Sequence, residues 1–226
     1  MAATSHPLAT QIALDTMRRG GNAIDAAIAA NAALGLMEPM SCGIGGDLFA
    51  IVWDAKTKKL YGLNASGRSP KSLNIDHFFE KEFEQIPIRG PLSLSVPGCV
   101  DGWFELHGKF GVLPMKEILQ PIIHYANDGV PVPDIISGYW QTGVERFADQ
   151  PNFLTTYAVD GKAPTQYQLF RNPDLARTYS KLAQDGRDAF YKGDIAKTID
   201  TFVKQHNGFL SYDDLASHAS EWIEPV

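Results

Sequence analysis

The chain has 226 residues, of which 44% are hydrophobic and 20% are charged, a composition that supports a sizeable globular core. Its 20 Lys and Arg residues are scattered among 26 Asp and Glu residues, giving a net charge of −6, and this distribution excludes a basic nucleic-acid surface. No apolar run reaches about 18 residues, so we expect no membrane-spanning helix, and no signal peptide is visible.

The amino-terminal region is predicted to be helical. Apolar residues recur at helical spacing in residues 7–19, where the initial proline suits the first turn of a helix. Gly20-Gly21 is expected to end that helix, and Asn22 is a plausible N-cap for a second helix over residues 23–37. The second segment contains seven alanines, and Asp25 is its only ionised residue. We therefore expect it to be buried on several sides, because short side chains allow close packing.

A β-hairpin is predicted to follow these helices. Glu38-Pro39 ends the second helix, and apolar runs at 48–53 and 60–63 flank a polar turn. The glycine-rich stretch 43–46 precedes a strand rather than a helix, so we expect a tight turn with positive φ there and not a phosphate-binding loop. The order helix, helix, hairpin favours an α+β fold, in which helices cover an antiparallel sheet, over repeating parallel βαβ units.

Helices are predicted to dominate the rest of the chain. Residues 86–95 are punctuated by Pro and Gly and are expected to be partly extended. A helix from Val100 to about Gly108 follows, and another begins at Pro114 and ends at Gly129. Further helices are predicted at 173–184, at 193–204 and after Ser211, where Asp214 completes a capping pattern.

The residues alone offer few candidates for catalysis. The six histidines form neither an H-x-x-x-H nor an H-E-x-x-H pattern, so no metal site is expected, and no G-x-S-x-G motif occurs. No two of the 26 acidic residues are singled out as a pair for glycoside hydrolysis. Cys42 and Cys99 are interpreted as two thiols, since they form no disulfide framework. From spacing alone, Arg68 is most simply a solvated surface arginine.

Several short motifs nevertheless occur in a defined order. They are residues 3–9 (ATSHPLA), 18–27 (RRGGNAIDAA), Glu38-Pro39, 43–47 (GIGGD) and 67–70 (GRSP). In this order and at these spacings they resemble the γ-glutamyltranspeptidase family, and the resemblance covers nearly the whole chain. It implies the α+β fold of an N-terminal-nucleophile hydrolase, an αββα sandwich of which only the large-subunit part is present. Residues 1–226 are then expected to be a partial large-subunit domain, without the rest of that subunit and without the small catalytic subunit.

The resemblance also implies a reaction, γ-glutamyl transfer or hydrolysis on glutathione or a related γ-glutamyl compound. In this family a threonine freed by self-cleavage is the nucleophile, and its new α-amino group is the base. That threonine is expected outside this chain, so no catalytic residue is assigned within it. Gly67 to Pro70 matches the motif whose arginine grips the substrate α-carboxylate, and this role is carried over to Arg68. No metal or organic cofactor is implied, and the expected partners are a small-molecule γ-glutamyl substrate and the small catalytic subunit from the same precursor.

Thr155-Thr156 superficially resembles the family's cleavage motif but is rejected as the cleavage site. The motif's histidine and serine positions do not match the residues that follow. In addition, residues 172–176, 189–193 and 208–215 resemble segments that the family places before its cleavage site.

Two alternative functions stay open on the sequence. The first is an acylase of the same fold that cleaves the side-chain amide of a cephalosporin or glutaryl compound, which does not require Arg68 to hold an α-amino acid. The second is a non-catalytic binding protein derived from the same ancestor. The compartment is not assigned, although the family is typically periplasmic or secreted.

Overall fold

The computed structural model describes residues 1–225, which divide into two compact units. The first unit comprises Met1–Gly43 with Phe110–Gln184, and the second comprises Ile44–Lys109 with residues 185–225. In the described part of the chain, no helix is long and apolar enough to cross a membrane. The structure divides into two units, and the interpretation of residues 1–226 as one partial large-subunit domain stays a prediction.

The elements are mixed helices and short antiparallel strands, with a 3-10 turn at Pro91–Ser93. In chain order they are α1 (Pro7–Arg18), α2 (Ala23–Met37), β1 (Leu48–Asp54), β2 (Lys59–Ala65), α3 (Ile75–Glu80), α4 (Cys99–Phe110), α5 (Met115–Asp128), β3 (Val130–Pro131), α6 (Asp134–Phe147), α7 (Phe153–Tyr157), β4 (Leu169–Phe170), α8 (Pro173–Asp185), α9 (Asp188–Tyr191), α10 (Asp194–Gln205), α11 (Tyr212–Ala216) and β5 (Glu221–Ile223).

The two predicted amino-terminal helices are confirmed in the first unit. The His6 side chain caps α1, and Gly20 follows its end with a φ of +99°, a backbone conformation that suits glycine. Asn22 caps α2 as predicted, and Asp25 completes a capping box by accepting the Asn22 backbone N–H at 2.9 Å. The two helices therefore begin and end where the local sequence favours it.

Helix α2 is buried, as its alanine content predicts. Five of its alanines are at most 6% exposed: Ala26, Ala29, Ala30, Ala32 and Ala33. The Tyr179 hydroxyl of α8 donates to the Ala32 carbonyl at 3.1 Å. Asp25 is fully buried and accepts the backbone N–H groups of Val112 and Leu113, at 3.1 and 3.3 Å. The carboxylate thereby ties the segment before α5 to the start of α2.

The predicted hairpin is confirmed in the second unit. Strands β1 and β2 pair antiparallel from Leu48 opposite Ala65 to Asp54 opposite Lys59. Strand β5 adds to the other edge of β2, giving the order β1-β2-β5. All strand pairings in the two small sheets are antiparallel, which confirms the predicted α+β fold and not repeating parallel βαβ units.

Helix α4 covers one face of this sheet. Ala65 is fully buried there, and a Cβ atom added to Gly102 would lie only 2.8 Å from the Ala65 Cβ. The Trp222 indole N–H of β5 donates to Glu105 Oε2 at 2.9 Å. Lys109 Nζ lies 3.9 Å from the centre of a Trp222 ring, a cation–π contact. Apolar contact and these polar contacts together fix α4 on the sheet.

The opposite face of the sheet carries exposed apolar side chains. Alternation along β1 places Phe49, Ile51 and Trp53 on it, and the register adds Leu60 and Ile223. Their exposed fractions run from 46% for Leu60 to 75% for Ile51. We call these five residues the open sheet face.

Some elements depart from the predictions. Helix α6 is not predicted, because Gly138 and Gly143 weaken its pattern, although Ile136, Trp140 and Val144 are buried at helical spacing. Elements α3, α7, α9 and β3 to β5 are also not predicted, since each is too short to leave a periodic signal. Within residues 86–95 the structure has only the short 3-10 turn.

The prediction of positive φ angles in residues 43–46 is wrong. The described glycines with positive φ lie at positions 20, 90, 129, 161 and 186. Gly46 instead accepts two backbone N–H groups at its carbonyl, from Gly98 at 3.0 Å and from Cys99 at 2.9 Å. The turn is held by these tertiary hydrogen bonds at the start of α4.

Candidate substrate-binding site

The segment that carries Arg68 leaves the sheet in a fixed direction. Asn64 Oδ1, near the end of β2, accepts the backbone N–H of Ser66 at 3.0 Å and its hydroxyl at 2.7 Å. The next backbone N–H, that of Gly67, donates to Asp47 Oδ1 at 3.0 Å. Two short polar side chains thus set the backbone just before Arg68.

Close backbone contact explains the glycines on both sides of this segment. The Arg68 carbonyl accepts the Val96 N–H at 3.0 Å. A Cβ atom on Gly67 would lie 1.6 Å from the Val96 carbonyl oxygen, and one on Gly98 would lie 2.0 Å from the Ala65 carbonyl oxygen. Neither position has room for a side chain, so glycine is required for the two segments to approach.

Arg68 lies on an open surface beside the carboxylate of Glu221. Its side chain is 78% exposed, and its Nη2 forms an ion pair with Oε1 of Glu221, whose side chain is 56% exposed. Glu221 is the first residue of β5 and lies opposite Asn64 in the register. Since Asn64 pairs with Phe49 across β1 and β2, Glu221 lies on the same side of the sheet as the open sheet face.

The chain beyond Arg68 is anchored to α11. The Lys71 backbone N–H donates to Asp214 Oδ1 at 3.0 Å, and Lys71 Nζ donates to Ser217 Oγ at 2.7 Å. Burial by itself raises the pKa of Asp214, but hydrogen bonds from Ser211 and from the Lys71 backbone outweigh burial and lower that pKa. Asp214 also completes the predicted capping box with Ser211. The anchor is therefore ionised at neutral pH.

A buried histidine lies behind the ion pair. The His218 side chain is 2% exposed, and burial is the main cause of its lowered pKa. Arg187 and Arg68 lower this pKa further, while Asp101 and Asp47 oppose them. His218 is therefore neutral at pH 7. The charged groups around it are the carboxylates of Asp101 and Asp47 and the guanidinium groups of Arg187 and Arg68.

The remaining candidates from the sequence have local structural roles or no ligand cluster. The Thr155 and Thr156 hydroxyls both donate to the Asn152 carbonyl at 2.9 Å in the short helix α7. Cys42 and Cys99 are both thiols. Among residues 1–225, no group of three or more His, Cys, Asp or Glu side chains is arranged to hold a metal ion.

The motif around Arg68 predicts a binding role for this residue, but the sequence does not predict its ion-pair partner. Glu221 is 153 positions away from Arg68 in a segment whose only visible signal is the pair Trp222-Ile223. A strand of three residues gives little periodicity, so its pairing with β2 is not predictable from the local pattern.

The sequence and the fold both match those of known proteins. The sequence model of the Gamma-glutamyltranspeptidase family matches residues 9–226. The glutathione hydrolase-like YwrD proenzyme of Bacillus subtilis is 34% identical over 227 residues, which cover the whole of this chain and 43% of that protein. The chain thus spans about two fifths of the length of such curated relatives.

Two solved structures match over almost the whole chain. A cephalosporin acylase from Bacillus halodurans has a TM-score of 0.94 and 40% identity, over 99% of this chain and 43% of the acylase chain. The γ-glutamyltranspeptidase of Helicobacter pylori has a TM-score of 0.95 and 29% identity, over 100% of this chain and 66% of that chain. The α+β fold is thus that of the N-terminal-nucleophile hydrolases over their matched part. By the family match and these relatives, the chain belongs to the γ-glutamyltranspeptidase family.

Proposed function

We propose that this chain forms the large-subunit part of an enzyme that transfers or hydrolyses γ-glutamyl groups of glutathione or a related compound. Arg68 binds the α-carboxylate of the γ-glutamyl group. The observation that carries this proposal is the exposed Arg68 guanidinium, which a rigid backbone segment presents at the end of β2. Family membership supports the reaction class.

The chemistry of Arg68 suits this role. A guanidinium offers a planar fork of N–H donors that matches the two oxygens of a carboxylate. Glu221 occupies one side of that fork through Nη2. A substrate carboxylate can take the donors that this ion pair leaves.

The open sheet face supports the proposed protein partner. Five large apolar side chains lie together there: Phe49, Ile51, Trp53, Leu60 and Ile223. Contiguous exposed apolar surface of this kind is typical of an interface. We assign this face to the small catalytic subunit from the same precursor. Glu221 and Arg68 lie at one end of the face, so the partner also brings its nucleophile toward Arg68.

The reaction follows from a threonine nucleophile in that partner. The threonine Oγ attacks the γ-carbonyl carbon, and its α-amino group takes the hydroxyl proton. Backbone N–H groups stabilise the oxyanion, the C–N bond breaks, and the proton passes to the leaving amine. Water or the amino group of an acceptor then attacks the acyl ester and regenerates the threonine. Arg68 contributes by fixing the α-carboxylate, which holds the γ-carbonyl in reach.

The proposal is tested by replacing Arg68 in the complete enzyme and comparing γ-glutamyl and glutaryl anilides as substrates. Loss of a charged, bidentate contact costs about 1.5–3 kcal/mol, so Arg68→Ala should raise KM for the γ-glutamyl substrate by about 10- to 150-fold. Arg68→Lys should recover part of this effect, since a lysine keeps the charge but not the fork. Arg18→Ala is the matched control, because Arg18 is also exposed and paired with one aspartate. An unchanged KM in Arg68→Ala contradicts the assigned role.

A second candidate function is an acylase acting on a glutaryl or cephalosporin side-chain amide. The cephalosporin acylase structure, at 40% identity and a TM-score of 0.94, specifically favours it. A glutaryl group lacks the α-amino group of a γ-glutamyl group but keeps its terminal carboxylate, so such an enzyme would prefer the glutaryl anilide. Arg68→Ala would then weaken binding of either substrate, and the preference between the two anilides separates the two functions.

A further inference from the structure

A buried carboxylate in the second unit accepts hydrogen bonds from residues that are distant in the sequence. Asp101, in the first turn of α4, is 1% exposed. Its Oδ1 accepts the Arg187 Nε–H, and its Oδ2 accepts both the backbone N–H of Ser220, at 2.6 Å, and the Ser220 hydroxyl. A buried carboxylate with three such donors is well satisfied and rigid.

Arg187 and Tyr191 extend this contact set. Arg187 Nη2 donates to the His218 carbonyl at 2.6 Å, and its guanidinium carbon lies 4.4 Å from the centre of the Tyr191 ring. The Tyr191 hydroxyl donates to the Pro97 carbonyl at 2.7 Å and accepts the Asp101 backbone N–H at 3.0 Å. The side chains of Asp101, Arg187 and Tyr191 thus bind two separate segments, residues 218–220 and the backbone at Pro97. We call these three residues the Asp101 cluster.

Both segments support Arg68. Ser220 directly precedes Glu221, the carboxylate that pairs with Arg68, and β5 has only three residues to hold Glu221 in place. Pro97 lies between Val96, which donates to the Arg68 carbonyl, and Gly98, which packs on the end of β2. The Asp101 cluster therefore contacts two segments: the one before Glu221, which pairs with the Arg68 side chain, and the one around Pro97, which bonds the Arg68 backbone.

We propose that Asp101 and Arg187 are positioning residues that fix the direction of the Arg68 guanidinium. The inference rests on the proposed role of Arg68 in substrate binding and deepens it. An apolar contact of similar volume could hold α4 to this segment equally well, since a buried ion pair is costly to desolvate. The directed hydrogen bonds to Ser220 differ from apolar packing because they set the register of β5 and therefore the position of Glu221.

Kinetics of the complete enzyme test this inference. Ser220→Ala removes one donor to Asp101 and should raise KM for a γ-glutamyl anilide by about tenfold, with kcat within about twofold. Asp101→Asn and Arg187→Lys should act in the same direction. Asp54→Asn is the matched control, because Asp54 accepts its hydrogen bonds within the β1–β2 turn. In an Arg68→Ala background the Ser220→Ala effect should disappear, since a positioning residue acts through its target.

A second readout separates this inference from the substrate role of Arg68. The Nε–Hε resonance of Arg68 in the full-length protein should shift in Ser220→Ala and stay in place in Asp54→Asn. If Arg68→Ala leaves KM unchanged, the substrate role fails, but a shifted Arg68 resonance in Ser220→Ala still supports positioning. An unshifted resonance, or effects of Ser220→Ala and Arg68→Ala that simply add, overturns the positioning role.

Discussion

Removal of the Asp25 carboxylate should destabilise the first unit strongly. The carboxylate is fully buried and accepts the backbone N–H groups of Asn22 at 2.9 Å, Val112 at 3.1 Å and Leu113 at 3.3 Å. In Asp25→Ala all three donors lose their acceptor, at about 1 kcal/mol each or more. We therefore expect the free energy of unfolding to fall by about 3 kcal/mol. Asp25→Asn keeps one acceptor oxygen and should give a smaller loss.

Urea unfolding and amide hydrogen exchange measure this effect. With a urea m-value of about 1–3 kcal/mol/M, the midpoint should move down by about 1–3 M in Asp25→Ala. The Val112 and Leu113 amides should exchange faster. Asp15→Ala is the control, since Asp15 lies on the exposed side of α1 and its carboxylate accepts hydrogen bonds from the Gln11 and Arg18 side chains. A midpoint in Asp25→Ala equal to that of the control refutes the reasoning.

Three further predictions concern the second unit and its partner. Gly67→Ala should disturb the Arg68 segment and raise KM for γ-glutamyl substrates. Gly108→Ala, where an added Cβ meets no atom within 4 Å, should leave stability unchanged or raise it by up to about 1 kcal/mol. Steady-state kinetics and thermal unfolding compare the two variants. Burial lowers the pKa of His218 below its ordinary 6.5, so the unfolded chain binds more protons than the folded chain, and the free energy of unfolding should fall as the pH drops through about 6.5. His218→Gln should make this dependence of stability on pH shallower between about pH 7 and pH 5. An unchanged dependence counts against a buried neutral histidine. Trp53→Ser on the open sheet face should lower the urea concentration at which size-exclusion chromatography shows the two subunits of the complete enzyme to separate. Ile135→Ser, at an exposed residue of α6, should not.

Local sequence signals predict much of the first half of the fold. Asn22 three residues before Asp25 is enough to locate the start of α2, and the run of alanines is enough to predict its burial. The hairpin follows from apolar runs on either side of a polar turn. In these cases the structure-forming contacts lie within a few residues of one another.

The site depends on contacts that no local pattern encodes. Arg68 is predicted as a site residue from its motif, but its ion pair with Glu221 depends on the pairing of β5 with β2. Asp101 in particular reads as an ordinary acidic residue in the first turn of a helix, where the helix dipole favours it. Only the fold reveals that it is buried and bonded to Ser220.

We propose that this chain functions with a partner subunit that supplies a threonine nucleophile for γ-glutamyl chemistry. Intact-mass measurement and N-terminal sequencing of every polypeptide in the purified full-length protein test it most directly. We predict a second polypeptide that begins with threonine and that gains one γ-glutamyl group when a γ-glutamyl donor is added. A single uncut polypeptide that gains no γ-glutamyl group would contradict the account and favour a non-catalytic binding protein.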